Sequence, residues 1–370
     1  MRGLISVSRL LRGRPETGDH VRYSGRSSPY PLVLVFNITR NCNLRCVHCY
    51  SNSGTRSYQD LPLDTWLRAV RQAADMGVKH ILLSGGEPLM RRDLHLIAKE
   101  AHDYGIRVEL STNGTMITEE RMSELKNYID YVGVSLDGPK EIHDKVRGVE
   151  GAFERALEGL KVAKKFGLKT GLRMTLTRLN YAHVDEVFRI MKENDIDRIC
   201  FYHLAYAGRA DISLDIPNSE RLKVVEKIAD YAKNTDFEIL TADNPVDGIL
   251  LYKMTRSPTV YELLKRNGGN KSGERIADVS PEGIIYPDQF TPIPIGTIEN
   301  LKEPWDKPHP LVAKLRDRKK YVKCSSCPFF EVCNGGLRAR AYAVTGDFWE
   351  RDPSCYIDEI QKKYDNDNSG

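Results

Sequence analysis

Short apolar, β-branched runs alternate with amphipathic stretches between Pro31 and about Ala207. The runs that read as strands are Val33–Ile38, His80–Ser84, Val108–Ser111, Tyr131–Ser135, Lys169–Thr175 and Arg198–His203. Apolar residues recur with a helical period in Leu63–Met76, Leu94–Tyr104, Glu119–Tyr128, Ala152–Phe166 and Ala182–Glu193. Repeated βα units predict a parallel sheet. Six units are too few to close an eight-stranded barrel, so we expect an α/β fold with a partial (βα)6 TIM-like barrel over residues 31–207.

The alternation lapses after Gly208. A linker to Pro217, a helix near Ser219–Lys233 and a turn-rich region follow, and the chain becomes cysteine-rich from Lys323. We therefore expect a separate C-terminal module over residues 208–364. Residues 1–30 are expected to form an N-terminal extension, mobile or packed, and residues 365–370 a disordered tail.

Composition narrows the classes of function. The 370 residues are 41% apolar, enough for a large core, and 55 basic against 51 acidic residues leave a formal charge of only +4. No basic block or basic-aromatic ladder points to nucleic acid, and no apolar run has the length of a membrane span. The Arg-rich start, Met1 to His20, lacks the apolar core of a signal peptide. We expect a cytoplasmic protein.

Polar and glycine residues follow the predicted strands at the end where parallel βα folds gather their chemistry. Asn41 to Cys49 follow the first strand, Gly85 to Pro88 the second, Thr112 to Gly114 the third, and Asp137 and Gly138 the fourth. These segments are expected to meet at one face of the sheet.

Three cysteines, Cys42, Cys46 and Cys49, lie in one short loop after the first strand. Each thiolate can bind a different iron of a cubane cluster, which leaves the fourth iron without a protein ligand. A zinc site with His48 as fourth ligand is the competing interpretation. Disulfide bonds are a further competing interpretation, and they are less typical of a long chain without an export signal.

The C-x3-C-x2-C loop followed by Tyr50, together with the Ser-Gly-Gly-Glu-Pro segment 84–88, resembles the radical S-adenosylmethionine (SAM) superfamily. The resemblance implies a [4Fe–4S] cluster bound by the three cysteines and SAM, and a 5′-deoxyadenosyl radical that abstracts hydrogen from the substrate. It also implies contacts to SAM from Gly85, Gly86, Glu87, Asn113, Ser135 and Arg147. Arg173, a charge within a strand pattern, is expected to need either an ion-pair partner or a ligand.

A second group of four cysteines lies in the last fifty residues of the sequence: Cys324, Cys327, Cys333 and Cys355. Four thiolates can saturate an auxiliary [4Fe–4S] cluster, and four-cysteine zinc is the alternative. The segment resembles the SPASM and twitch extensions of radical SAM enzymes. Fuller versions carry more cysteines, and Asp288 stands where many relatives have a thiolate, so a second auxiliary cluster is not expected. Cys200 stands apart and reads as a small buried apolar residue.

Several longer motifs are similar to the radical SAM enzymes of siroheme-derived tetrapyrrole synthesis. They are Ile5–Leu10, Tyr202–Arg209, Gly268–Gly273, Asn334–Ala341 and Thr345–Asp347 before Cys355. The similarity implies removal of acetate side chains from 12,18-didecarboxysiroheme to give Fe-coproporphyrin III, or else removal of propionates in heme d1 synthesis. A peptide-modifying maturase and a non-catalytic ferredoxin-like or zinc-binding module remain as other readings.

A tetrapyrrole with several carboxylates would need basic side chains around an apolar pocket. The candidates are Arg209, Lys271, Arg275, Arg338 and Arg340. His203 is a candidate iron ligand or proton donor, so His203 and Arg209 are the expected catalytic residues. A one-electron donor such as ferredoxin or flavodoxin is the expected partner.

Overall fold

The computed structural model describes residues 4–16, 18–25 and 28–365. The strands are β1 (Ile5–Ser6), β2 (Val33–Asn37), β3 (His80–Ser84), β4 (Arg107–Thr112), β5 (Tyr131–Ser135), β6 (Thr170–Leu176), β7 (Arg198–His203), β8 (Glu238–Ala242), β9 (Ile276–Val279), β10 (Ile284–Tyr286) and β11 (Gly296–Thr297). The helices are α1 (Val7–Arg12), α2 (Asp19–Arg22), α3 (Leu63–Asp75), α4 (Leu94–Asp103), α5 (Glu119–Leu125), α6 (Lys140–Arg147), α7 (Ala152–Lys165), α8 (Val184–Glu193), α9 (Asn218–Asn234), α10 (Val246–Thr255), α11 (Pro258–Asn267), α12 (Glu303–Asp306), α13 (Pro310–Arg316), α14 (Phe330–Cys333), α15 (Arg338–Thr345) and α16 (Ile357–Tyr364).

Within these residues the strands form one sheet in the order β1-β8-β7-β6-β5-β4-β3-β2-β9-β10-β11. The strands β2 to β7 coincide with the six predicted strands to within one residue at most ends. They run parallel and in chain order, with helices between them. The α/β partial barrel predicted from the sequence is confirmed.

Two further strands extend the parallel part of the sheet on either side. Strand β8 pairs in parallel with β7, and β9 pairs in parallel with β2. Both come from the segment 208–364, where the sequence lacks the regular βα spacing that marks β2 to β7. The expected boundary near Gly208 therefore falls within a continuous sheet, and the C-terminal segment contributes directly to the barrel wall.

The N-terminal segment packs against the barrel. Ile5 and Ser6 pair with Thr241 and Leu240 of β8, and α1 lies against α9. The Ser8 hydroxyl accepts a hydrogen bond from the Ile239 N–H at 3.0 Å. Of the two states expected for residues 1–30, the structure therefore has the packed one where it describes them. Apart from Asp365, which pairs with Lys253, the expected tail 365–370 lies outside the described residues.

The main core lies between the sheet and its outer helices. Trp66 of α3 is fully buried against Phe36 of β2, with ring centroids 5.3 Å apart. The apolar face of each outer helix covers the outside of the strands, so the inner face of the curved sheet is left to line cavities. None of the described helices has both the length and the apolar character needed to cross a membrane.

Candidate functional site

The three cysteines of the loop after β2 lie together at the carboxyl ends of the strands. Cys42, Cys46 and Cys49 belong to one small cluster with Leu44 and Ala152. The loop is fixed from one side by α6, because the Arg45 and Val47 N–H groups donate to the carbonyls of Arg147 and Val146. Hydrogen bonds to α6 thus anchor the loop that carries the three cysteines.

The glycines after β3 bring a second backbone segment against that loop. The Gly86 N–H donates to the Thr39 carbonyl at 2.7 Å, and the Glu87 N–H donates to the Asn41 carbonyl at 2.8 Å. A Cβ atom at Gly86 would lie 2.2 Å from the Asn41 oxygen, and one at Gly85, where φ is +144°, would lie 2.4 Å from the Thr39 oxygen. Only glycine permits this approach at both positions.

One cavity joins most of the predicted residues, and we call it the upper chamber. Its walls include the three cysteines and the expected SAM contacts Gly85, Gly86, Asn113, Ser135 and Arg147. Strands β3, β4, β5 and β7 each contribute their last residue: Ser84, Thr112, Ser135 and His203. Glu87 and Arg209 do not line it.

Glu87 lies beneath the chamber and holds its wall. The buried carboxylate accepts hydrogen bonds from the Leu89 N–H, from the Thr112 hydroxyl at 2.7 Å and from the Asn113 N–H at 2.8 Å. The Asn113 amide then donates to Asn43 in the cysteine loop at 2.9 Å. Glu87 therefore fixes Asn113, and through it the loop, instead of facing the chamber.

Arg147 gives the cysteine loop a positive neighbour. Its guanidinium forms an ion pair with the buried Asp137 at 2.6 Å and lies 3.6 Å from the Cys46 sulfur. Burial raises the pKa of the Cys42 thiol to about 12 and also raises the pKa of Cys46, although Arg147 opposes the second rise. Cys42 and Cys46 therefore favour the protonated form until a cation such as cluster iron stabilises their thiolates.

The chamber wall includes buried polar atoms without a hydrogen-bond partner among the described residues, such as His48 Nδ1, Arg147 Nε and Gln289 Oε1. Burial also lowers the pKa of His48 to about 4, so the imidazole is neutral and can accept or donate. Unsatisfied donors and acceptors around a cavity fit a polar ligand such as the methionine and ribose groups of SAM.

His203, an expected catalytic residue, reaches the chamber but has both ring nitrogens occupied. Its Nε2 donates to Asp247 Oδ2 at 2.8 Å, and its Nδ1 accepts from Arg221 at 2.7 Å. The side chain is only 1% exposed. In this arrangement neither ring nitrogen of His203 has a free lone pair to bind iron. From the chamber wall, His203 therefore positions Asp247 and Arg221.

Arg209, the other expected catalytic residue, faces the back of the cysteine loop. Its guanidinium donates to the carbonyls of Cys46 and Ser53, each at 2.8 Å, and its own N–H donates to the Cys49 carbonyl at 2.9 Å. These contacts clamp the loop between β2 and the chain after β7, and they leave Arg209 outside the chamber wall.

Three of the basic residues expected to surround an apolar substrate pocket are also engaged elsewhere. Arg340 is fully buried, forms a two-point ion pair with Asp352 at 2.9 Å and donates to the Leu204 carbonyl. Arg338, equally buried, donates to the carbonyls of Gly335, Phe348 and Glu350. Lys271 pairs with Glu274. The expectation that Arg338 and Arg340 face the substrate is wrong, because their donors hold the C-terminal segment together.

The four C-terminal cysteines are free thiols within electrostatic reach of one another. Burial raises the pKa of Cys333 to about 12, and Cys355, Cys324 and Cys327 add to the rise. Gly269 packs directly on the Cys333 backbone, where a Cβ atom would lie 2.4 Å from its carbonyl. Asp288 instead accepts from the N–H groups of Phe290 and Thr291, so it forms a turn.

The chamber also contains residues that the sequence did not single out. Gln289 donates to the Tyr50 hydroxyl at 2.8 Å, and Phe290 meets the Tyr50 ring edge-on at 5.7 Å. The C-terminal segment thereby closes one side of the chamber. The sequence signal was present, since Gln289 and Phe290 directly follow Asp288, but nothing in the pattern placed them beside Tyr50.

Known proteins were compared with this sequence and fold. The Radical SAM superfamily model matches residues 36–191. Fe-coproporphyrin III synthase from Methanosarcina barkeri is 38% identical over 98% of this chain and 99% of its own length. Pre-heme d1 synthase from Dinoroseobacter shibae is 33% identical over 90% of this chain and 87% of its own.

Solved structures agree at the level of the fold. SuiB from Streptococcus suis, bound to its precursor peptide SuiA, superposes with a TM-score of 0.72 at 22% identity, covering 90% of this chain and 77% of that one. The domain match, the full-length relatives and the chamber geometry all indicate the same family. The chain belongs to the radical SAM superfamily, whose members use a [4Fe–4S] cluster and SAM.

Proposed function

We propose that this enzyme removes the acetate side chains of 12,18-didecarboxysiroheme to give Fe-coproporphyrin III. The observation that carries the proposal is the 38% identity with Fe-coproporphyrin III synthase along practically the whole of both chains. The match includes the C-terminal segment that closes the chamber, where substrate specificity is expected to reside.

The residues of the upper chamber have separate tasks in this proposal. Cys42, Cys46 and Cys49 hold the cluster, and the backbone at Gly85 and Gly86 receives the methionine end of SAM, with Asn113, Ser135 and Arg147 around it. When bound, the cluster and SAM supply a carbon radical that abstracts hydrogen. The chain orients these groups and shields them from water.

The chamber wall combines the apolar and cationic side chains that a large aromatic pigment with charged edges would contact. Tyr50, Phe290, Leu204 and Ala205 supply apolar and aromatic wall, while Arg173 brings a cation to the chamber floor. A guanidinium is well suited to a propionate or acetate carboxylate. These features support a tetrapyrrole over a small polar substrate.

We further propose that Cys324, Cys327, Cys333 and Cys355 bind one auxiliary [4Fe–4S] cluster. Reconstituted protein should then bind about eight irons per chain, and Cys333→Ala should bind about four. The control is Cys200→Ala, which removes a thiol outside both groups and should leave the iron content unchanged. Zinc in place of four of the irons would overturn the assignment.

The electron for the first cluster is proposed to come from a ferredoxin or flavodoxin, in the cytoplasm where free thiols persist. Neither the donor nor the compartment affects the substrate test.

Substrate identity is tested by anaerobic incubation with SAM, dithionite and 12,18-didecarboxysiroheme, followed by mass analysis of the pigment. Loss of two acetate groups is the expected result. Loss of propionates would favour the activity named for pre-heme d1 synthase, the relative at 33% identity. An unchanged pigment, with SAM cleavage intact, would overturn the tetrapyrrole proposal.

A further inference from the structure

A second cavity lies inside the barrel below the upper chamber, and we call it the lower lumen. Its rim is formed by the first residues of the strands, including Val33, His80, Arg107, Tyr131 and Arg198. It therefore opens at the amino-terminal ends of the strands, on the opposite side from the cysteine loop. In closed (βα)8 barrels, side chains fill the corresponding space.

Two glycines make room for a polar layer across this lumen. A Cβ atom at Gly133 would lie 2.7 Å from Cδ of Arg173, and one at Gly171 would lie 2.4 Å from the Tyr131 hydroxyl. Small residues on β5 and β6 thus let Arg173 and Tyr131 extend across the interior. The polar layer formed by Arg173 and Tyr131 therefore depends on the small residues of the barrel strands.

Arg173 stands at the junction of the two cavities. It lines both, together with Tyr202 and Asp243. Its guanidinium lies over the Tyr202 ring at 4.7 Å, and among the described residues it takes part in no ion pair within 4.0 Å. A cation inside a barrel without a paired carboxylate is costly unless an anion or water solvates it.

The remaining charges of the lumen also favour an anion. Counting Arg173, its wall contains five Arg and Lys side chains against three Asp and Glu side chains. Of these acids, Glu109 lies 3.3 Å from His80 and within electrostatic reach of Arg173 and Arg198, and Asp130 lies 3.9 Å from Arg107. Arg198 lies over the Tyr131 ring at 4.6 Å and pairs with Glu238 at 3.2 Å, which leaves further donors on its guanidinium.

Apolar surface completes the wall. Val33, Val35 and Ile276 form one small cluster, and Cys200, Leu240 and Ala242 form another on the other side. A ligand that suits this lumen has a charged head for the arginines and a small apolar body for the strands.

We propose that the lower lumen binds a small monocarboxylate of the size of acetate, with Arg173 and Arg198 as its anion-binding side chains. The origin of the carboxylate rests on the proposed function: the acetate removed from the pigment above Arg173 leaves through this lumen. The binding site itself stands without that activity.

Titration of the reconstituted enzyme with acetate and with neutral acetamide, followed by calorimetry, tests the site. Acetate should bind and acetamide should not, since the two differ mainly in charge. Arg173→Met and Arg198→Met should each weaken acetate binding at least tenfold, and Arg189→Met, a change at an exposed arginine of α8, should leave it unchanged. Retained iron content and SAM binding show that each variant is folded.

Equal binding of acetamide, or unchanged acetate affinity in both lumen variants, would overturn the site. Displacement of acetate by an equal concentration of chloride would overturn its selectivity for a carboxylate. The link to the reaction has its own readout: acetate should inhibit pigment turnover in the wild type and not in Arg198→Met. Acetate that binds without inhibiting would overturn the exit route, while failure of the pigment reaction itself leaves the titrations unaffected.

Discussion

His203 donates through Nε2 to the Asp247 carboxylate at 2.8 Å, deep in the wall of the upper chamber. Asp247 also accepts from the Tyr356 hydroxyl at 2.6 Å, directly beside Cys355. On the other side of Cys355, Ser354 donates to Asp215, which pairs with Arg221. The chamber wall and the last cysteine are therefore joined by one buried polar network.

Replacement of His203 by alanine should destabilise the fold more than it harms the chemistry. Asp247 and Arg221 would each lose a buried partner, a cost of about 3 kcal/mol. Urea unfolding should begin at lower concentration, while 5′-deoxyadenosine formation per intact first cluster stays near the wild-type rate. A loss on the order of 100-fold or more in pigment conversion, with unchanged urea stability and 5′-deoxyadenosine formation, would instead identify His203 as a proton donor.

Asp352→Asn should loosen the C-terminal segment and change its response to acid. Burial raises the pKa of the Asp352 carboxyl, but Arg340 and Arg338 outweigh it and hold the pKa below its ordinary range. A depressed folded-state pKa contributes stability above the unfolded value, about 3.9, and that contribution disappears as pH falls through the folded value.

The variant should therefore be about 3 kcal/mol less stable at pH 7, because Arg340 remains buried without its ion pair. Its stability should also depend less on pH below about 4 than that of the wild type. Urea unfolding at pH 7 and tryptophan fluorescence after acid pH jumps measure the two effects. Parallel acid curves for the two proteins would count against this account of the ion pair.

Arg209→Met should lower occupancy of the first cluster and leave the second in place. The substitution keeps much of the side-chain bulk but removes the donors to the Cys46 and Ser53 carbonyls. Iron content should fall from about eight toward about four per chain after mild chelation. A variant with full iron content and SAM cleavage that fails only with the pigment would make Arg209 a substrate residue.

Gly86→Ala should abolish SAM cleavage, because the added methyl group would overlap the Asn41 carbonyl. The matched control is Gly105→Ala, where a Cβ atom meets nothing within 4 Å although φ is +72°. The control should lose about 1 kcal/mol of stability and keep its activity. Comparable SAM cleavage in the two variants would show that the close backbone approach is dispensable.

The regular part of the fold follows from the sequence because β2 to β7 and their helices repeat one pattern. Strands β8 and β9 escape that pattern: β9 has only four residues, and the chain between the two strands forms α10 and α11 without returning to a regular βα spacing. Their place beside β7 and β2 is set by tertiary pairing, which local periodicity does not report.

The chamber was predictable for a similar reason, since parallel strands bring their carboxyl ends to one edge. Burial was not. Arg338 and Arg340 are expected from the sequence to bind substrate carboxylates, yet both are fully buried because backbone carbonyls and Asp352 satisfy them. The sequence likewise suggests that Glu87 contacts a ligand, whereas in the structure its carboxylate accepts hydrogen bonds from three groups of the chain itself.

The central claim is that a radical formed in the upper chamber acts on a tetrapyrrole. The most direct measurement follows 5′-deoxyadenosine and pigment mass in one anaerobic reaction with SAM, dithionite and 12,18-didecarboxysiroheme, with Cys46→Ala as the control. Wild-type protein should release 5′-deoxyadenosine together with a pigment that has lost its acetate groups, and the control should release neither. Release of 5′-deoxyadenosine with the pigment unchanged would contradict the claim.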